Sequence, residues 1–274
     1  MKILVAGAAG QLGSLLPEAL SGHRVEAIGR DRLDVADLAS VRGAVRSARP
    51  QLVVNAAAWN RVDDAETDRE GAFRGNALGP RNLAIATAEA GIPLLHVSTD
   101  YVFDGRAGRP YHEYDAPCPL SVYGQSKLAG ERAVRELNPR HFVVRTAWLY
   151  AAGRPNFPST MISLGRRGPV RVVDDQVGSP TYAPHLAEAI ARLVATGAFG
   201  TWHMAGTGQT SWCGLTRRLF ERMGLASEVT AVTTDEFPRP APRPACSALV
   251  SIQDPTITLP PWEQGVDEFC RAVA

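Results

Sequence analysis

The 274-residue chain carries 29 lysines and arginines against 28 aspartates and glutamates, a net charge of +1, with 45% hydrophobic and 21% charged residues. Such proportions describe a soluble globular protein made of one large domain, or a main domain with a smaller lobe. They exclude a nucleic-acid or anionic-membrane surface; no apolar run reaches the ~20 residues of a membrane span, and the scattered cysteines and histidines show neither a disulfide framework nor metal-ligand spacing.

Residues 2 to 6, KILVA, form a short apolar strand, and Gly7, Gly10 and Gly13 follow as G-x-x-G-x-x-G before a helical pattern. Glycines at this turn let the backbone approach a pyrophosphate, whose charge the helix N-terminus favours. No signal peptide precedes the motif, so a cytoplasmic location is expected. Pro17 removes a helical hydrogen bond to Gly13 and should kink this helix. The second strand, RVEAI, ends at Gly29-Arg30. Binders of the unphosphorylated dinucleotide usually place an acidic residue there. Arg30, with Arg32 near it, favours a 2′-phosphate instead and hence NADPH, with NADH as the alternative. Asp34, next to Val35, is placed to meet the adenine edge or to cap the helix that begins near Asp37.

A helix over 37 to 48 leads through Pro50 into the strand QLVVN and then Ala56-Ala57-Ala58. Small residues after a strand let a flat cofactor pass close to the backbone. Residues 63 to 90 carry one long helical pattern that includes Asn76, and Gly91-Ile92-Pro93 turns the chain into an apolar strand ending at Ser98-Thr99. This alternation, with nearly continuous apolar strands, predicts an α/β fold: a Rossmann-type doubly wound parallel sheet covered on both faces.

Tyr123 and Lys127 follow at i and i+4, on one face of a helix. A phenol titrates near ~10, and an ammonium beside it is expected to lower that by roughly 1 to 3 units, giving a proton donor near neutrality. A hydroxyl at the strand end, Thr99 or Ser98, would hydrogen-bond a substrate oxygen as charge builds on it. Together they predict a carbonyl-reducing site. Composition supports this: Lys2 and Lys127 are the only lysines among the 29 basic residues, so an ammonium at 127 is not interchangeable with the guanidinium used elsewhere.

HFVVRTAWLYA (141 to 151) predicts another buried strand, with Thr146, Trp148 and Tyr150 at its ligand-facing end. A strand, loop and helix over 170 to 197 and a short strand in GTWHMAG are expected to return to the main sheet. Residues 207 to 228 suggest one more helix, and the proline-rich stretch 235 to 262 an irregular region. Residues 1–150, with returning segments at about 168–206, are expected to form the NADP-binding domain. Residues 151–167 and 207–274 are expected to form a smaller C-terminal substrate-binding lobe.

The motifs GAAGQLG (7 to 13), NAAAWNRVDDAE (55 to 66), HVSTDYVFDG (96 to 105), YGQSKLAGE (123 to 131), RTAWLY (145 to 150), DDQVGSPT (174 to 181) and PAPRPACSAL (240 to 249) span the whole chain. In these the chain resembles the extended short-chain dehydrogenases/reductases, specifically the dTDP-4-dehydrorhamnose reductases and other sugar-nucleotide 4-ketoreductases. The resemblance implies hydride delivery from NADPH or NADH to C4 of a dTDP-4-keto-6-deoxyhexose, with Thr99, Tyr123 and Lys127 as the triad. It implies cofactor contacts at Gly7, Gly10, Gln11, Leu12, Gly13, Arg30, Asp34, Val35, Ala56, Ala57, Ala58, Tyr123 and Lys127. On the substrate side it implies Asn60, Tyr101 and Trp148 around the sugar and Arg243 at the diphosphate, in a monomer or homodimer.

Two positions depart from the family pattern: Asn60 stands where a threonine is common, and Leu15 stands where some relatives have a metal-bridging glutamate. No metal site is therefore expected. The related 4,6-dehydratases carry Thr-Asp-Glu where this chain has Thr99-Asp100-Tyr101, which favours reduction over dehydration or epimerisation. A non-catalytic NADP-binding regulatory subunit is the alternative from a different class, and the complete triad counts against it.

Overall fold

Strands and helices alternate through most of the computed structural model, which describes residues 1–274. Strand β1 (Lys2–Ala6) is followed by α1 (Leu16–Ala19), β2 (Arg24–Ile28), α2 (Leu38–Ala48) and β3 (Leu52–Asn55). Helices α3 (Asp64–Thr67) and α4 (Arg69–Phe73) run through a π turn at Arg74–Leu78 into α5 (Gly79–Glu89). Then come β4 (Leu94–Thr99), a 3₁₀ turn (Asp100–Val102), α6 (Val122–Leu137) and β5 (His141–Thr146). The chain continues through β6 (Leu149–Tyr150), α7 (Phe157–Gly165), β7 (Val170–Val173), β8 (Val177–Gly178), β9 (Thr181–Tyr182), α8 (Ala183–Thr196) and β10 (Gly200–His203). It ends with β11 (Thr210–Ser211), α9 (Trp212–Met223), β12 (Val229–Val232) and α10 (Trp262–Val273). None of the helices is long and apolar enough to cross a membrane.

Six strands form one parallel sheet in the order β10-β5-β4-β3-β1-β2. Successive strand residues point to opposite faces, and both faces are apolar. Ile3, Val5, Leu52, Val54, Leu95, Phe142 and Val144 pack with α1 and α8; Leu4, Ala6, Val53, Leu94 and Val143 pack with α2, α5 and α6. Each buried large apolar side chain contributes roughly 1.5–3 kcal/mol, which stabilises a sheet covered on both sides. The winding reverses between β1 and β3, and in open α/β sheets ligands bind at that switch point, beyond the carboxyl ends of the strands.

A second core holds the C-terminal lobe. Tyr150, Ile162, Val170, Val172, Tyr182, Leu219, Phe220, Val266 and Phe269 are buried together among α7, α9, α10 and the β7–β12 pair. Four local expectations change here. Pro17 does not kink a long helix: residues 11 to 15 are turns, and Pro17 sits in the first turn of the short α1, where a missing N–H costs nothing. The pattern over 63 to 90 divides at Asp68 and at the π turn. The stretch 141 to 151 is two strands, because Trp148 takes a left-handed φ of 47° and turns β6 away to pair with β9. Of the strands expected to return to the main sheet only β10 does; β7 pairs with β12 and buries Val170 and Val172 in the lobe. Helix α10 had not been expected.

One polar cluster crosses the interior. Glu131 on α6 and Arg145 on β5 are fully buried and joined 2.7 Å apart, with a second contact at 3.0 Å. Ser98 donates to the same carboxylate at 2.6 Å. Removing one partner of such a pair strands a buried charge, at a cost of about 3–5 kcal/mol. Glu131→Ala should therefore lower unfolding stability by about that amount, read as a lower denaturant midpoint, and joint replacement of both partners by apolar residues should recover much of the loss.

Candidate active site

The site lies where β1, β3 and β4 end. Gly7 has φ 87°, and a Cβ there would lie 2.5 Å from the Ala57 nitrogen, so the turn after β1 and the segment after β3 touch backbone to backbone. Beside this contact opens a cleft of ≈ 300 Å³ lined by Gly7, Gly10, Arg30, Asp34, Val35 and Ala56 to Asn60. The N–H groups of Gln11, Leu12 and Gly13 make no hydrogen bond within the chain. A close backbone with free, adjacent N–H groups is what a pyrophosphate requires, so the residues fit a dinucleotide.

A second cavity, ≈ 340 Å³, adjoins the first and shares Gly10, Ala56, Ala58 and Asn60 with it. Thr99, Tyr101, Tyr123, Lys127 and Trp148 line it together. Ser121 caps α6 by accepting from the Gly124 N–H at 3.1 Å, which aims the first turn, and with it Tyr123, into the cavity. Lys127 sits one turn on and donates to the Val97 carbonyl at 2.7 Å. Asn76, buried on the π turn, accepts from Trp59 N at 2.8 Å and donates to Ser126 of α6 at 3.0 Å. It thereby ties the floor of the dinucleotide cleft to the helix that carries Tyr123 and Lys127.

The electrostatics differ from the expected acidified phenol. Burial pushes the Tyr123 phenol well above its ordinary value; the Thr99 hydroxyl opposes the rise and the Asp100 charge adds to it. Lys127 does not offset this, because its ammonium is turned to the Val97 carbonyl and is itself lowered by burial to about 8, with the Glu131 charge pulling it back up. Burial also raises Asp100 to about 6, against hydrogen bonds from Ser247 and Thr99.

A third cavity, ≈ 390 Å³, extends into the lobe and shares Tyr101, Phe157 and Trp212 with the second. Three arginines line it. Arg243 is held by Asp63 at 2.6 and 3.0 Å, and Arg171 by Glu236 at 2.9 Å. Arg239 lies 4.8 Å over the Phe237 ring. Trp148 stacks on Trp212 with centroids 3.5 Å apart and planes 3° from parallel, forming an aromatic wall where the second and third cavities meet.

Most of the residues singled out from the sequence thus line one continuous groove, with some changes of detail. Gly13 packs behind it against the Gly7 carbonyl, and Tyr150, expected at the ligand-facing end of its strand, is instead buried in the core of the lobe. The side chain of Leu12 is buried in the core beneath the cleft, so only its backbone faces outward. Gln11 turns its side chain to the lobe and accepts from Ala151 N at 3.0 Å. Asp34 does not cap α2, since Asp37 does; Asp34 accepts from Ala36 N at 3.0 Å and meets Arg74 at 3.3 Å. Arg32 is engaged by Glu26, whereas Arg30 is exposed on the cleft wall without an ion pair. Sequence reasoning missed Arg74, Phe157, Trp212 and Arg239, which come from distant segments without a motif. It also passed over Asp100, which stands inside a motif and had a readable signal: a carboxylate next to a strand-end hydroxyl.

The family model described as the RmlD substrate binding domain matches residues 1–274. A dTDP-4-dehydrorhamnose reductase of Streptomyces griseus is 46% identical over 256 residues, covering 90% of this chain and 84% of its own. Among solved structures, a dTDP-4-dehydrorhamnose reductase of Bacillus anthracis in complex with NADP superposes with a TM-score of 0.95 at 37% identity, over 98% of both chains. A Clostridium acetobutylicum orthologue of that reductase gives 0.96 at 38% identity, over 100% of this chain and 99% of its own.

Gly7→Ala tests the cleft. The added methyl requires a left-handed alanine and a backbone shift at Ala57, together costing about 1–3 kcal/mol. Binding of a nicotinamide dinucleotide, followed by titration calorimetry, should be lost while the far-ultraviolet circular dichroism of the sheet is retained.

Proposed function

Because the chain belongs to the dTDP-4-dehydrorhamnose reductase family of extended short-chain dehydrogenases/reductases, we propose that it reduces the C4 ketone of a dTDP-4-keto-6-deoxyhexose to the alcohol of dTDP-rhamnose or a close relative, using NADPH through Thr99, Tyr123 and Lys127. The observation that carries this reading is that the dinucleotide cleft and the lobe cavity each share walls with the middle cavity, which Thr99, Tyr101, Tyr123 and Lys127 line.

In this reading residues 1–150 hold the dinucleotide, and 151–167 and 207–274, joined by β7 and the turn after it, cover the substrate. The N–H groups of Gln11, Leu12 and Gly13 take the pyrophosphate, Asp34 and Val35 border the adenine, and Ala56 to Ala58 leave room for the flat cofactor. Arg30, the cleft arginine without an ion pair, suits a 2′-phosphate, and this favours NADPH over NADH. When bound, the reduced nicotinamide supplies the hydride. Tyr123 gives its proton to the ketone oxygen. Lys127, mostly charged at neutral pH with a pKa of about 8, holds the ribose hydroxyls and keeps a positive potential behind the reacting atoms. Trp148, Tyr101 and Asn60 surround the sugar. Arg243 and Arg239 face the diphosphate in the lobe cavity.

Loss of NADPH absorbance with a dTDP-4-keto-6-deoxyhexose tests the reading. Tyr123→Phe, which keeps the ring and removes the proton, should lower kcat by about 10²- to 10⁴-fold; unchanged consumption would reject Tyr123 as the donor, and none in the wild type over a panel of 4-keto sugars would leave a binding subunit. Arg30→Ala should raise KM for NADPH about tenfold or more, the value of a charge-assisted hydrogen bond, and leave KM for NADH within about twofold. Equal effects on both would count against phosphate recognition by Arg30.

A further inference from the structure

The Thr99 hydroxyl has one proton and two lone pairs. One lone pair accepts from the Tyr101 N–H at 3.2 Å, and the proton is given to Asp100 Oδ1 at 2.9 Å. Tyr123 is a third hydrogen-bond neighbour of this hydroxyl, so as long as Asp100 is a carboxylate it holds the single Thr99 proton in competition with the phenol and with a ketone. Asp100 is itself 3% exposed, and its other oxygen accepts from Ser247 at 2.5 Å, a residue brought in from the C-terminal segment. None of these hydrogen bonds comes from a cation. The titratable groups facing it are Tyr101 on its own turn and Tyr123 on α6, and its charge pushes both phenols up.

We propose that Asp100 is a positioning residue for the reduction, and that it must carry a proton for the Thr99 hydroxyl to turn to the substrate oxygen. The proposal rests on the ketone reduction above. Protonated at Oδ1, the carboxyl donates to the second lone pair of Thr99, and the Thr99 proton is released toward the ketone. The same change removes a negative charge from beside the oxygen on which negative charge develops, where it would otherwise oppose hydride arrival. Asp100 loses no proton in the cycle: the ketone carbon receives hydride from the dinucleotide, and its oxygen receives the proton of Tyr123. Burial already holds this carboxyl at about 6, and exclusion of water by a substrate raises a carboxyl further.

Activity then depends on the acid form, so kcat should fall by about tenfold per pH unit above the Asp100 titration. Asp100→Asn, uncharged at every pH and able to donate to Thr99 through its amide, should keep kcat near its acid-pH value and abolish this alkaline fall. Ser247→Ala removes a hydrogen bond that favours the carboxylate and should move the fall to higher pH. Persistence of the fall in Asp100→Asn, or a fall unmoved or moved to lower pH in Ser247→Ala, overturns the proposal. Titration of the Asp100 carboxyl carbon by NMR reads the same group without turnover. A midpoint well above the ordinary ~4 that rises further in Ser247→Ala supports the proposal even where no tested sugar is reduced, a failure that falls on the reduction reading alone; an ordinary midpoint overturns it.

Discussion

The placement of α6 against β4 and β5 is the constraint on which the rest of the site depends, and the Glu131–Arg145 pair sets it. Two opposite charges out of water are stable only with their hydrogen bonds met at one geometry, so α6 is held in rotation and height along the sheet. Ser98 joins the same carboxylate, and Thr99 is the next residue. The helix also lies unusually close to its neighbours: a Cβ at Gly130 would stand 2.1 Å from the Asn76 carbonyl oxygen, and one at Gly124 2.2 Å from that of Tyr101. The polar tie and the close packing act together to bring Tyr123 and Lys127 over the end of β4.

The periodic parts of the fold were legible because they rest on short-range rules. Buried parallel strands need nearly continuous apolar residues, a backbone contact needs glycine, and two groups at i and i+4 share a helix face. Three features were not legible, for identifiable reasons. Trp148 and Trp212 meet across 64 residues of chain with no motif to connect them. The pairing of β7 with β12 is decided by which core takes Val170 and Val172, and strand pattern alone is silent on that. The direction of the Tyr123 shift was misjudged because spacing gives neighbours but not burial, and burial is the larger influence here. Helix α10 was different: Val266, Phe269, Cys270 and Val273 carry a helical period, masked by the prolines before them.

The buried groups around the reacting centre share one electrostatic character. Burial moves Tyr123 and Asp100 up and Lys127 down, and takes His96, beneath them on β4, well below its ordinary value. Each shift favours the neutral form. A phenol held above its ordinary value is nevertheless a competent donor for the proposed reduction, because the group it would protonate is far more basic: an alkoxide is about as strong a base as hydroxide. In the proposed reduction the proton would run downhill from Tyr123 without acidification, provided that negative charge forms on the oxygen only as the hydride arrives. What the site must supply is therefore a donor aimed at that oxygen and an absence of competing anions around it, more than a lowered phenol. In the proposed mechanism the hydroxyl of Thr99 and the charge of Lys127 stabilise the oxygen as Tyr123 protonates it, and low dielectric, which raises Asp100, serves the second need.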